Sequence, residues 1–154
     1  MKVKDIMNKT IINVSENATI YDAAKLMSLN NFGFLPVTNI KEEIIGVITD
    51  RDIITRALSQ NLNSNTLIKN IMTKKVVSIS KNDDISFAIS KMADNQIRRI
   101  VVLEKKNIIG IITIKDLTKS KETLIYLPDL FKEILYNYDK SLTLFKEFTI
   151  PLEI

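Results

Sequence analysis

Ile44-Ile45-Gly46-Val47-Ile48-Thr49-Asp50-Arg51-Asp52 returns later in the chain as Ile108-Ile109-Gly110-Ile111-Ile112-Thr113-Ile114-Lys115-Asp116. In both copies an apolar, β-branched run carries Gly, two apolar residues, Thr, two variable residues and Asp. Working outward, Ile6-Met7 recurs as Ile71-Met72, and residues 6–38 align with 71–103 without a gap. Lys9/Lys74, Ser15/Ser80, Asn17/Asn82, Ile20/Ile85, Ala23/Ala88, Met27/Met92, Asn30/Asn95 and Val37/Val102 are identical in that register. One residue is lost in a loop before the quoted stretch. The chain is a duplication followed by a C-terminal addition.

Each copy has the same periodicities. A short extended segment (11–14; 76–79) precedes a helix whose apolar residues fall at i, i+3, i+4 and i+7. These are Ile20, Ala23, Ala24 and Met27 in the first copy and Ile85, Ala88, Ile89 and Met92 in the second, with Thr19 and Asp84 as N-caps. Two strand-like runs follow (34–37 and 44–49; 100–103 and 108–113), and a second helix starts near Asp52 and Asp116. A β-α-β-β-α unit of about sixty residues buries too little surface to stand comfortably alone. The expected class is therefore α/β (α+β), with two repeats packed together in pseudo-twofold symmetry, at 1–62 and 63–120. Residues 121–154 form the extension. There Leu127, Phe131, Ile134, Leu135, Tyr138, Leu142 and Phe145 keep helical spacing, with Pro128 and Asp129 suited to a first turn. This amphipathic helix either packs back on its own module or presents a surface to another chain.

Cysteine and histidine are both absent, which removes the usual thiolate and imidazole metal ligands and the commonest catalytic base. No catalytic cluster stands out, so no enzyme and no metal site are expected. Lack of cysteine suits a reducing, cytoplasmic setting. The net charge of +4 is spread over scattered lysines, a pattern of solvated surface rather than of a nucleic-acid groove. No apolar run approaches membrane-spanning length, so neither nucleic acid nor membrane is an expected partner.

The order of elements, the strand Leu35-Pro36-Val37 and both Gly-to-Asp motifs resemble a tandem pair of CBS (cystathionine β-synthase) domains over about residues 4–118. Val101 stands where the second copy would carry the proline. Thr and Asp at the mouth of a helix offer a hydroxyl and a carboxylate to the diol of a ribose. The same spacing also describes a helix capping box, in which Thr and Asp serve only their own backbone. The resemblance implies an adenosine compound bound between the repeats. Carried over by position, one site takes Met7, Thr10, Ile12 and Phe32 around adenine, Ile111, Thr113 and Asp116 at the ribose, and Arg98 and Arg99 at phosphate. The pseudo-symmetric site takes Met72, Lys75, Val77 and Ile97 with Val47, Thr49 and Asp52. Where the second repeat has Arg98-Arg99 the first has Gly33-Phe34, so the arginine-bearing site is expected to bind phosphate more tightly. Against this, the arginines also read as a solvated strand start, and Met7, Met72, Phe32 and Phe34 as core.

The resemblance further implies a regulatory module that needs no cofactor. Its ligand would be an adenine nucleotide, AMP foremost, with ADP, ATP or S-adenosylmethionine as alternatives. Its partners would be a second copy of the chain, as a homodimer, and an unidentified regulated protein. The competing expectation is a structural adaptor with little ligand affinity that works through its C-terminal helix.

Overall fold

The computed structural model describes residues 1–135. In the first repeat β1 (Val14–Ser15), α1 (Ile20–Asn30), β2 (Phe34–Thr38), β3 (Ile44–Thr49) and α2 (Asp50–Asp52) follow in order. The chain then continues through a π-helical turn at Ile53–Ala57 and a 3-10 turn at Leu58–Gln60. The second repeat gives β4 (Ser78–Ser80), α3 (Ile85–Asp94), β5 (Arg99–Glu104), β6 (Asn107–Thr113) and α4 (Ile114–Leu117). Two further helices follow, α5 (Lys121–Leu124) and α6 over residues 127–135. The expected β-α-β-β-α order is present twice.

Each repeat builds a three-stranded sheet: a parallel first pair, then an antiparallel hairpin. Even the irregularities repeat. Val37 faces Gly46 and Val102 faces Gly110, and a bulge follows at the next residue in both. Pro36 sits in the middle strand, where a missing N–H is usually costly. Its opposite residue, Val47, turns both its N–H and its C=O away to Thr73. β1 joins the sheet only from the level of Val37. No ladder bond is lost.

Side chains set the helix starts. Thr19 Oγ1 accepts from the N–H of Asp22 at 3.1 Å, and Asp22 Oδ2 accepts from the N–H of Thr19 at 2.9 Å, a reciprocal cap. Asn31, left-handed at φ 53°, ends α1. Asp84 does stand at the N-cap of α3, but its carboxylate makes no cap bond. It pairs instead with Lys2 Nζ at 3.0 Å. A cation from the other repeat outcompetes the local amide.

That contact belongs to a larger exchange. Val3, in a 3-10 turn at Val3–Asp5, is fully buried in the core of the second repeat, beside Ile85, Met92 and Ile100. Ile68 and Ile71, which precede β4, are buried in the core of the first repeat with Ile20, Leu35 and Ile48. Backbone bonds fix both crossings: Val3 N–H to Asp83 O and Ile20 N–H to Thr66 O. The leading segment of each repeat thus completes the other, and the cores do not divide where the sequence repeat divides. Gly46 and Gly110 make room for these crossings. A Cβ on Gly46 would lie 2.7 Å from Met72 Sδ and 3.0 Å from Thr73 O; one on Gly110 would lie 2.7 Å from Met7 Sδ and 3.2 Å from Asn8 O.

Helix α6 packs back on the second repeat through Leu127, Leu130 and Ile134. Phe131 and Leu135, assigned to the same face by spacing, are instead 41% and 47% exposed. Tyr138, Leu142 and Phe145 lie outside the described residues.

Candidate functional site

Between the repeats lies an open cleft of about 940 Å³. The first repeat supplies Val47, Thr49 and the start of α2; the second supplies Lys75, Val77 and the turn into β5 at residues 97–99. The pairing follows from the crossing just described. Residues 73–77 run beside β3 after Thr73 bonds Val47, and this brings the approach to β4 opposite Thr49.

Of the two residue sets carried over by position, the second assembles here almost whole. Val47, Thr49, Asp52, Lys75, Val77 and Ile97 all line the cleft. Met72 does not; its thioether lies against Gly46 and the first core. Arg98 and Arg99, assigned to the other set, line this same cleft. Along the backbone Arg99 pairs with Thr113 and Arg98 O accepts from Ile114 N–H, but in the cleft the two arginines line the wall with Thr49 and Asp52, and neither Thr113 nor Asp116 does. β5 starts at the seam between the repeats, so the Arg99 side chain reaches Phe34 of the opposite repeat while its backbone stays paired with Thr113. The remaining members of the first set are not in the cleft wall. Met7 packs against Gly110 and the second core, Phe32 and Ile12 pack on the first core, and Thr10 is exposed. Ile111 pairs with Asn8 as Val47 pairs with Thr73, and Thr113 and Asp116 close a capping box at the start of α4.

Both aspartates complete capping boxes. Asp52 Oδ2 accepts from Thr49 N–H at 2.9 Å and from the Thr49 hydroxyl at 2.8 Å. Asp116 Oδ2 accepts from the same two groups of Thr113 at 2.9 and 2.7 Å. The capping reading of the motif therefore holds at both places. A carboxylate oxygen offers about two lone pairs, so Oδ2 is filled and only Oδ1 has capacity for a further donor. At Asp52, Oδ1 is 3.3 Å from the guanidinium of Arg56, which is anchored by Ile71 O and Thr73 Oγ1 at 3.0 Å each. At Asp116, Oδ1 is gripped by Lys119 Nζ at 2.6 Å. Burial pushes the Asp116 carboxyl up, but the bonds from Lys119 and Thr113 outweigh it and hold the group below its ordinary value.

Charge in the cleft is lopsided. Arg51, Lys75, Arg98 and Arg99 line it with Asp50 and Asp52, Arg51 from the same turn as the two acids and the other three from the second repeat. Among the described residues no acid pairs with any of the four cations. Arg99 lies over the ring of Phe34 at 5.9 Å, which holds the guanidinium across the seam while leaving its N–H groups free to donate. Asp50 folds onto Gly33, where a Cβ would collide with its carboxylate. An excess of solvent-accessible cations with no acidic partner, beside a single sugar-sized acceptor, suits an anionic ligand with a polar body. Asp50 and Arg51 occupy the variable positions of the motif, where spacing carries no signal. Ile134, which also reaches the wall, comes from the extension and has no counterpart in the repeat. Among the described residues no three acidic side chains converge as a metal site, and none of the helices is long and apolar enough to cross a membrane.

Comparison with known proteins agrees with this architecture. A family profile described as CBS domain matches twice, at residues 3–59 and 68–122. A CBS domain-containing protein of Bacillus subtilis, YhcV, is 36% identical over 116 residues, which is 75% of this chain and 81% of the relative. Among solved structures, the CBS domain pair of protein MJ0100, in complex with 5-methylthioadenosine and S-adenosyl-L-methionine, superposes with a TM-score of 0.70 at 30% identity, over 77% of this chain and 94% of that one. Hypoxic response protein I, solved with two coordinated zinc ions, gives 0.71 at 28% identity, over 77% and 98%. With neither histidine nor cysteine, this chain lacks the usual donors for such zinc.

Proposed function

The chain belongs to the CBS domain family, and on that premise we propose that it is a regulatory module that binds an adenine nucleotide in the cleft between its repeats. The observation that carries the reading is the meeting of Arg98 and Arg99 with Thr49 and Asp52 in one cavity. Asp52 Oδ1 accepts from the ribose diol. Val47, Val77 and Ile97 cover the adenine faces, and Lys75, Arg98 and Arg99 take the phosphate. The neighbour's methylthioadenosine and S-adenosylmethionine support an adenosine body. The surplus of cations favours a phosphate tail over a sulfonium, hence AMP, ADP or ATP rather than S-adenosylmethionine.

Output runs through packing. Ile134 belongs at once to the second core and to the cleft wall, so a seated ligand meets the helix that leads into the C-terminal segment. Filling the cleft shifts how firmly α6 docks, and a partner protein or a second copy reads that change. Homodimerisation fits the exposed apolar side chains of Tyr21, Ile54, Leu58 and Phe87 on helical faces. No catalytic group is assigned.

The adaptor reading draws on a specific observation too, since both motif aspartates already serve their own turns. Calorimetry on nucleotide-free protein with AMP, ADP, ATP and S-adenosylmethionine separates the two. Heat and a thermal shift with the phosphorylated nucleotides are expected. Silence with all four sinks the nucleotide reading and leaves the adaptor.

A further inference from the structure

The two motif aspartates are not in the same state, and the difference has a single cause. Asp116 is sealed: its side chain is 6% exposed, and Lys119 Nζ lies 2.6 Å from the one oxygen not consumed by the cap. Asp52 has no such neighbour. Its corresponding contact, to Arg56, is 3.3 Å long and comes from a guanidinium tied to the linker by two other bonds. The residue that aligns with Lys119 in the first repeat is Thr55, and Thr55 lines the open cleft. A primary ammonium placed where a sugar hydroxyl would donate is a built-in occupant. It supplies the same hydrogen bond as the diol, adds a full charge, and requires no ligand to leave water.

The rest of the position agrees. Gly33-Phe34, at the places equivalent to Arg98-Arg99, offer no cation to a phosphate. Ile114 stands where the first repeat has Asp50. Of the four cleft cations only Arg51 has a cationic counterpart there, Lys115; Lys75, Arg98 and Arg99 correspond to Thr10, Gly33 and Phe34.

We infer that Lys119 acts as an internal substitute for ligand, closing the second motif and limiting the chain to one nucleotide. The inference rests on the nucleotide reading above and specifies its stoichiometry. Lys119 is 60% exposed along its side chain, so its replacement leaves the fold intact.

Titration of AMP into the full-length, nucleotide-free chain tests it. The wild type should take up one equivalent. Lys119→Gln should show a second, weaker uptake, approaching two equivalents at high AMP, whereas Lys119→Arg, which preserves the cation, should remain at one. Combining Lys119→Gln with Asp52→Asn should suppress the tight event and keep the weak one, locating it at Asp116. Two equivalents on the wild type overturn the assignment to Lys119 while leaving the nucleotide reading standing, as does one equivalent on every Lys119 variant. No uptake by any of these proteins overturns the nucleotide reading, and this inference with it.

Discussion

Arg99 rests over the ring of Phe34 at 5.9 Å, and these two residues hold the same place in the two repeats. The contact therefore bridges the pseudo-twofold axis between positions that a perfectly symmetric chain would make identical. Two arginines there would repel, and two phenylalanines would carry no charge. The mixed pair gives the cleft a cation with a rigid support.

Arg99→Ala should accordingly weaken AMP binding by about tenfold or more, the worth of one charge-assisted hydrogen bond of roughly 1.5–3 kcal/mol. Adenosine, lacking phosphate, should lose less than about twofold. Calorimetry with both ligands checks this; equal losses would remove Arg99 from the phosphate.

Asp52→Ala and Asp116→Ala should part company. The first should reduce nucleotide affinity by about tenfold or more. The second should leave affinity within about threefold while lowering stability, since Asp116 caps α4 and binds Lys119 but lines no part of the cleft wall. A larger affinity loss in Asp116→Ala would place the ligand at the other motif.

Acid should destabilise the protein in part through Asp116. Its folded pKa lies below the unfolded value, so its contribution is complete above about pH 4 and disappears as pH falls through the folded value. Lys119→Gln removes one of the donors responsible. The folded pKa then rises toward the unfolded one and the contribution shrinks. Circular dichroism along a pH titration should show unfolding of the variant at higher pH than the wild type. An unchanged midpoint would mean the ion pair contributes nothing to stability.

The two repeats should melt as one. Ile68→Ala alters a side chain carried by the second repeat but buried in the first core, and should cost about 2–5 kcal/mol. Far-ultraviolet dichroism and tyrosine dichroism should still give one coincident urea transition, because each core needs the other repeat's leading segment. Separate transitions would show that the crossings do not couple the halves.

Gly46→Ala and Gly110→Ala should each destabilise by about 1–3 kcal/mol, as expected where an added methyl meets a neighbouring thioether and a backbone carbonyl. Met72→Ala should partly rescue the first, since it clears the nearer of the two obstacles. No rescue would show that the carbonyl of Thr73 sets the whole penalty.

Much of the fold was legible because it is written in local terms. The 3.6-residue spacing of Ile20, Ala23 and Met27, the cap at Thr19 and the paired strands each depend on neighbours in sequence. The cleft was legible in membership more than in assignment. Position in the repeat groups Lys75, Val77, Ile97, Thr49 and Asp52 as the cleft does, but it puts Arg98 and Arg99 with Asp116, and they line the cleft with Asp52. Alignment of the copies says which residues are equivalent, and it is silent on which copy's turn a strand end will face across an axis. The same limit explains Asp84, whose local role as a cap gave way to Lys2 from a distant segment. Ile134 belongs to an apolar stripe, and nothing in spacing alone directs one residue of a stripe toward a cavity.

The traded leading segments have a bearing on ancestry. A lone copy of this unit would keep an empty slot where Val3 or Ile68 now inserts, and an unburied segment seeking such a slot elsewhere. Two identical molecules could satisfy one another only on meeting, at the mercy of dilution. Fusion in one polypeptide made that meeting permanent. Once permanence no longer depended on sameness, the halves were at liberty to differ, and the second alone carries Arg98, Arg99 and Lys119, opposite Gly33, Phe34 and Thr55.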